Sequence, residues 1–390
     1  MKKTVAIIGA GIGGLVAGYE LSKKGYEVTV FEKEKEIGGL LSEFKIEGKN
    51  LEKTYHHIFE TDKEIINLIE ELGLKDKLKW HKSSIALFYN NQFYPFFGII
   101  DLLKFKELGL IDKFRLGMVY LWLKFDKNWE KYEKITAADW MEKWVGKKAY
   151  EVVWKPLLKG KFHDYYTKVS MAWLWARIHT RGNSDKLGYL EGGFGQVVKK
   201  LAENLNVQTL CPSGISLDRA TSKFDLIIDT RPIKNIDYIG AVDVVFSSTQ
   251  NLSPYYWHNI NDLKSPFLVF IQHTNLVDKS NYNNKHIYYL GTYVPQNHEY
   301  FKISDEKIGR IFFDYLKKIF PKFDEKQIGE KTVFKFQNAQ HVVVTSYKVK
   351  SYKVNEKLYR LNFAQIYPED RGINFAVREA RKLVKTILNN

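Results

Sequence analysis

Three groups of residues carry types and spacings suited to chemistry. The first is Gly9, Gly11 and Gly14 in a G-x-G-x-x-G run, with Ile12 and Gly13 inside it and Glu32 placed 18 residues after Gly14. Such a run handles a dinucleotide. Gly9 allows a tight turn, Gly11 lets backbone approach a pyrophosphate, and Gly14 lets a helix pack closely on a strand. The helix N-terminus then faces the phosphates, and Glu32 can accept both ribose hydroxyls. The second group is Tyr55-His56-His57. Two imidazoles suit proton donation and acceptance near neutral pH. The plainer alternative, one exposed ring and one structural hydrogen bond, stands beside it, because no third orienting group is visible. The third group is Arg177 and Arg181, four residues apart, a spacing that on a helix presents two guanidiniums to one phosphate or carboxylate. A surface pair, or a strand that places both on one face, are the open alternatives. The lysines of Trp154-Lys-Pro-Leu-Leu-Lys-Gly-Lys161 border either a substrate or a cap-domain loop. No metal site is expected: adjacent histidines point to different sides of an extended chain, and no cysteine or histidine cluster completes a sphere.

These residues need a scaffold, and its elements are legible. Val5–Ile8 is a short β-branched run, as expected of a strand buried on both faces of a parallel sheet. A helix over 15–24 ends at Gly25, and Glu27–Phe31 forms the second strand, closed by Glu32. Two strands cannot make a stable sheet, so later segments must return to it. Residues 188–232 supply a helix after Gly192-Gly193, a short strand at Val207 and a buried strand ending at Thr230. Residues 358–390 supply a strand, a polar loop with Asp370-Arg371-Gly372 and a last helix over 374–388.

The stretch Glu32-Lys33-Glu-Lys-Glu-Ile-Gly38-Gly39-Leu40-Leu41-Ser42 resembles the continuation found in the flavin amine oxidase, protoporphyrinogen oxidase and phytoene desaturase group of FAD-binding proteins. The resemblance implies that Gly38, Gly39, Leu40 and Leu41 pass beside the flavin, and that FAD rather than NAD is the cofactor. Both later returns match the same group. They extend the implied cofactor contacts from Gly9, Gly11, Ile12, Gly13, Gly14, Glu32 and Lys33 to Val207, Thr230, Asp370, Gly372, Ile373 and Asn374. One departure stands out. Members commonly carry an acid just after the last strand to hold the ribityl chain, whereas this chain reads Phe363-Ala364-Gln365, so Glu369 or Asp370 is the substitute.

The expectation is an α/β protein. Residues 1–60, 186–235 and 355–390 form a Rossmann-like FAD-binding domain. Residues 61–185 and 236–354 form a discontinuous second domain of mixed β-sheet plus helical cap. In it, Ile85–Tyr89 and Gln92–Tyr94 flank Asn90-Asn91, a pair that tolerates the positive φ of a two-residue hairpin turn. Residues 267–272, 287–293 and 332–336 read as strands of the same sheet. Residues 62–72, 112–124, 136–144 and 170–181 read as helices. The 112–126 segment is apolar nearly all round, which means either burial or a place against a membrane interface.

Composition narrows the partners. The 390 residues carry a formal charge of +15, which suits anionic lipid or an anionic small substrate; nucleic acid is set aside because the lysines are scattered and no motif accompanies them. An aromatic content of 15% suggests an aromatic-lined pocket. The single cysteine, Cys211, leaves no intrachain disulfide and points to a reducing, cytoplasmic setting, with peripheral membrane contact left open. Three readings follow. The resemblance implies an FAD-dependent oxidoreductase moving a hydride from an organic substrate, anionic or lipid-linked, to flavin N5. A non-redox flavoenzyme similar to the nucleotide-sugar (UDP-galactopyranose) mutases is the second, and a non-catalytic flavin- or lipid-binding protein the third.

Overall fold

A computed structural model describes residues 2–181, 184–209 and 222–389; Cys211 lies outside them. From the N-terminus run β1 (Thr4–Ile8), α1 (Ile12–Ser22), β2 (Glu27–Phe31), the hairpin β3 (Glu43–Ile46) and β4 (Lys49–Glu52), and α2 (Lys63–Glu71). Then come β5 (Leu78–Lys82), β6 (Ile85–Tyr89) and β7 (Gln92–Pro95). The helices α3 (Ile99–Lys104), α4 (Leu110–Phe125), α5 (Ala137–Val145), α6 (Lys155–Phe162) and α7 (Met171–His179) form a cap. The chain returns through β8 (Lys186–Leu190), α8 (Gly195–Ala202), β9 (Asn206–Gln208) and β10 (Leu226–Asp229). It leaves again through β11 (Tyr238–Ser248), β12 (Trp257–Ile260), β13 (Val269–Gln272), β14 (His286–Pro295), α9 (Asp305–Ile319) and β15 (Ile328–His341). It closes with β16 (Leu358–Arg360) and α10 (Ile373–Leu388).

The first sheet is parallel, in the order β16-β10-β1-β2-β9. Val5 to Ile8 of the central β1 are all buried, as a strand covered on both faces must be. The second sheet has seven strands in the order β15-β11-β14-β13-β12-β6-β7; it is antiparallel except where β6 joins β12. The β6–β7 turn uses Asn90 and Asn91 at φ 49° and 58°, as the sequence predicts. The spine of this sheet is β11, an eleven-residue strand buried throughout, which sequence reading did not mark. The α/β architecture with a mixed sheet and helical cap is the observed one.

Three differences from the sequence reading have physical causes. The segment around α2 and β5, grouped from sequence with the second domain, packs on the first. There Arg381 of α10 binds Glu20, Glu64 and Glu71, and β5 pairs with β8. The helix expected over 170–181 stops at His179, so Arg181 lies beyond it; Ser170 caps its start by accepting from the Ala172 amide at 3.2 Å. The apolar α4 is neither buried nor free. Leu116, Val119 and Leu123 pack into the cap core, while its opposite face is open.

Candidate functional site

At the carboxyl end of β1 the chain turns through Gly9 at φ 109°. A Cβ there would run into the Thr230 hydroxyl, which donates to the Ile8 carbonyl at 2.7 Å. A Cβ on Gly14 would meet the Gly9 carbonyl oxygen, so this glycine sets how closely α1 approaches β1. Gly11 differs. Nothing lies within 4 Å of the place its Cβ would take, and it opens α1 without a side-chain cap. Open space, free amides and a helix N-terminus together make an anion cradle. The Gly38 amide donates to Ala10 O at 2.8 Å, and a Cβ on Gly39 would stand 3.3 Å from the Gly11 Cα. The Gly-Gly pair therefore rests directly on the glycine turn. This cradle fits FAD: it offers phosphate donors and a side-chain-free approach.

The remaining cofactor expectations fall unevenly. Glu32 accepts from the Ala10 amide at 2.8 Å and the Glu34 amide at 3.0 Å; each oxygen keeps a second lone pair for a ribose hydroxyl. Lys33 is exposed and pairs with Glu34. Val207 sits opposite Val30 in β9, and Leu41 is buried after the Gly-Gly turn, with Leu40 beside it. Gly372 opens α10 without a side-chain cap, so the amides after it, from Ile373 on, are free for an acceptor. The Asn374 side chain is spent elsewhere: it accepts from the Glu64 and Ile65 amides and caps α2.

Asp370 does not stand free to hold a ribityl chain. Its carboxylate receives Lys161 Nζ at 2.6 Å, Trp173 Nε1 at 3.1 Å, Arg177, and the Arg371 amide at 3.1 Å. Burial alone would raise its pKa, but Lys161 and Arg177 hold it well below the carboxylate range. Glu369, the other substitute, is held bidentate by Arg378. Burial lowers the Lys161 ammonium, with Asp370 opposing, and the ammonium lies 5.2 Å from the ring centres of both Trp173 and Tyr293. The Arg371 guanidinium donates to the Tyr293 hydroxyl at 3.1 Å. Burial would raise Tyr293, yet Lys161 and Arg371 outweigh it and lower the phenol, while neighbouring Tyr55 is pushed up by burial.

A further acid faces this group. Asp243 of β11 is 3% exposed, and burial pushes its pKa to about 8 against the pull of Arg371. A Cβ on Gly291 would be 2.6 Å from its Oδ1 and 3.0 Å from the Tyr55 ring, so Gly291 makes room for both. Sequence reading missed Asp243, although a lone acid inside Ala-Val-Asp-Val-Val is a visible signal. It also missed Tyr293, which nothing local distinguishes from the chain's other tyrosines.

The two histidines diverge. His56 Nδ1 bonds the Thr54 carbonyl at 2.8 Å, and the Thr54 hydroxyl donates to the Leu40 carbonyl at 3.3 Å, which ties His56 to the Gly-Gly turn. His57 bonds the Tyr256 hydroxyl at 3.2 Å and packs on Phe59, whose ring also lies under Arg181. Burial lowers them to about 4 and about 3, so both are neutral at pH 7. The two arginines part as well: Arg177 is bound to Asp370 and Arg181 is exposed. No group of three or more His, Cys, Asp or Glu that could hold a metal ion occurs among the described residues.

The family of flavin-containing amine oxidoreductases matches residues 12–213. Protoporphyrinogen oxidase 2 of Arabidopsis thaliana is 30% identical over 126 residues, covering 31% of this chain and 25% of the plant protein. The matched segments span a quarter to a third of the length of such curated relatives. A putative protoporphyrinogen oxidase from Exiguobacterium superposes with a TM-score of 0.76 at 16% identity over 100% of both chains. A reduced UDP-galactopyranose mutase does so with a TM-score of 0.74 at 12% identity, covering 100% of this chain and 96% of the mutase. At those identities the likeness is one of fold.

Proposed function

The chain belongs to the flavin-containing amine oxidoreductase family, with FAD as its cofactor, and from that premise we propose that it is an FAD-dependent oxidoreductase acting on an anionic organic substrate. FAD, when bound, supplies an acceptor at N5 for a hydride from the substrate. The glycine cradle and the Glu32 carboxylate would hold the dinucleotide, and the free amides opening α10 would supply further donors to it.

The observation that carries the substrate class is the cationic cluster. Lys161, Arg177 and Arg371 gather around one ionised carboxylate, Asp370, which leaves cation in excess beside Tyr55 and Tyr293. Each charge-assisted contact to a carboxylate or phosphate in such a partly dry setting contributes about 1.5–3 kcal/mol. Asp243, with its pKa near 8, holds a proton at neutral pH and gives it up just above. Tyr293, made more acidic by Lys161 and Arg371, is the second group able to move one. These residues orient the substrate, and the ionised carboxylate of Asp243, populated as pH rises towards about 8, takes up the proton that accompanies oxidation. His56 and His57, neutral at the same pH, contribute hydrogen bonds and ring contacts.

Anaerobic titration of the FAD-loaded protein with carboxylates, phosphate esters and amines tests the reading. Bleaching of the oxidised flavin spectrum by anionic compounds is the expected result, and bleaching by cationic amines alone would overturn the substrate class. The same cationic excess also favours a second reading, a non-redox mutase acting on a nucleotide-sugar diphosphate. Turnover seen only after chemical reduction of the flavin would select it.

A further inference from the structure

Beyond the proposed reaction, the cap carries a surface that the site does not use. The exposed face of α4 holds Leu110, Ile111, Phe114, Met118, Leu121 and Phe125, a continuous stripe at helical spacing with no charge inside it. Leu110, Phe114 and Phe125 are 80%, 70% and 72% exposed, far from the half-covered state of a core-edge residue. Over 16 residues the stripe runs about 24 Å. The preceding α3 widens it. Gly117 of α4 lets Leu102 and Ile99 lie across the helix, which leaves Ile99, Ile100 and Leu103 open to solvent. At roughly 150–250 Å² for each aromatic side chain, this patch reaches the largest that a water-facing monomer normally exposes.

The edges of the patch say what covers it. On one side Lys113 reaches the Leu103 carbonyl at 2.7 Å, and Lys124 reaches the carbonyls of His179 and Arg181. On the other, Arg115 donates to the carbonyls of Lys143 and Trp144. All three spend their donors on neutral carbonyls, so their charges stay free to act outward. Trp122 and Trp144, with ring centres 5.0 Å apart, stand at the same rim, and tryptophan favours the boundary between water and lipid. A second copy of the chain would bring a rim of equal sign against this one, and each copy carries a formal charge of +15. An anionic surface answers both the apolar stripe and the basic rim.

We infer that the α3–α4 face docks this protein on an anionic lipid bilayer, with the stripe among the acyl chains and Lys113, Arg115 and Lys124 at the headgroup phosphates. No helix among the described residues is long and apolar enough to cross a membrane, so the attachment is one of surface insertion. Lys124 also ties this face to the end of α7, the helix that carries Arg177.

Co-sedimentation of the FAD-loaded full chain with vesicles tests the inference. The expected result is strong partitioning onto phosphatidylcholine vesicles containing phosphatidylglycerol, and weaker partitioning onto phosphatidylcholine alone. The combined variant Ile111→Ser, Phe114→Ser, Phe125→Ser should lose at least about tenfold in partitioning, with flavin content and melting temperature retained. Equal partitioning of variant and parent overturns the inference. So does a lipid-free dimer that the variant breaks while neither protein binds vesicles. Should the variant fail to fold, the unmodified protein decides. Brominated phosphatidylglycerol must quench part of its tryptophan fluorescence, and absence of quenching overturns the inference.

Discussion

The glycine cradle and the cationic cluster both present positive potential to a ligand, and they do so by opposite means. The cradle works by subtraction. Its donors are backbone amides, and its shape comes from missing side chains at Gly9, Gly11, Gly14 and Gly39, all within the first two strands and the turn after them. The cluster works by addition. Lys161, Arg177, Asp243, Tyr293 and Arg371 come from α6, α7, β11, β14 and the loop before α10. A backbone site stands or falls with local conformation. A side-chain site stands or falls with how buried charges are balanced.

The largest expected effect separates two glycines within the cradle. Gly14→Val should fail to give folded protein, since its side chain enters the Gly9 carbonyl. Gly11→Val places its Cβ in open space, so it should fold and melt like the cofactor-free parent while flavin absorbance falls to background. A Gly11→Val protein that stays yellow would break the cradle reading.

In the cluster the counterpart is Asp370→Asn, which leaves buried cations without their carboxylate. Denaturant unfolding should show a loss of about 3–5 kcal/mol. Asp370 and Asp243 should also pull stability in opposite directions with pH. The folded-state pKa of Asp370 is depressed, so its contribution is present above the unfolded value near 4 and is lost as pH falls below it. Asp243 is raised from 3.8 to about 8, so the folded state binds the extra proton between those values. Stability from this group therefore falls as pH rises from about 4 to about 8 and levels off above. Asp243→Asn should flatten that decline, which thermal melts across the window will measure; an unchanged slope would remove Asp243 from the titrating site.

The smallest effects divide the arginine pair. Arg177→Gln breaks the contact with Asp370 and should cost roughly 1.5–3 kcal/mol, as for a charged hydrogen bond. Arg181→Gln, at an exposed side chain, should stay within about 0.5 kcal/mol of the parent. Parallel melts with ligand titration sharpen the comparison. If Arg181→Gln alone weakens binding of an anionic ligand, Arg181 belongs to the entrance and Arg177 to the scaffold.

The 3.6- and 2-residue periods, the glycine spacing and the turn residues are local properties, and what they govern was legible from the chain alone. Val5–Ile8, the Gly9–Gly14 turn, Glu27–Phe31, the Asn90-Asn91 hairpin and the final helix all lie where those signals put them. The extent of α7 was less so, because the nearest breaker in the sequence, Gly182, stands three residues past the last helical residue, His179. Tertiary structure decided the rest. Asp370, Lys161 and Arg177 form an ion cluster only because the loop before α10 packs under the cap, 209 residues from Lys161. The same packing takes Asp370 away from the role that resemblance implied. It brings Asp243 and Tyr293 together across neighbouring strands of a sheet whose spine went unmarked. The fate of α4 was open for the same reason: a helix apolar on every side specifies that it will be covered, and only the packed fold determines which face is left for something else to cover.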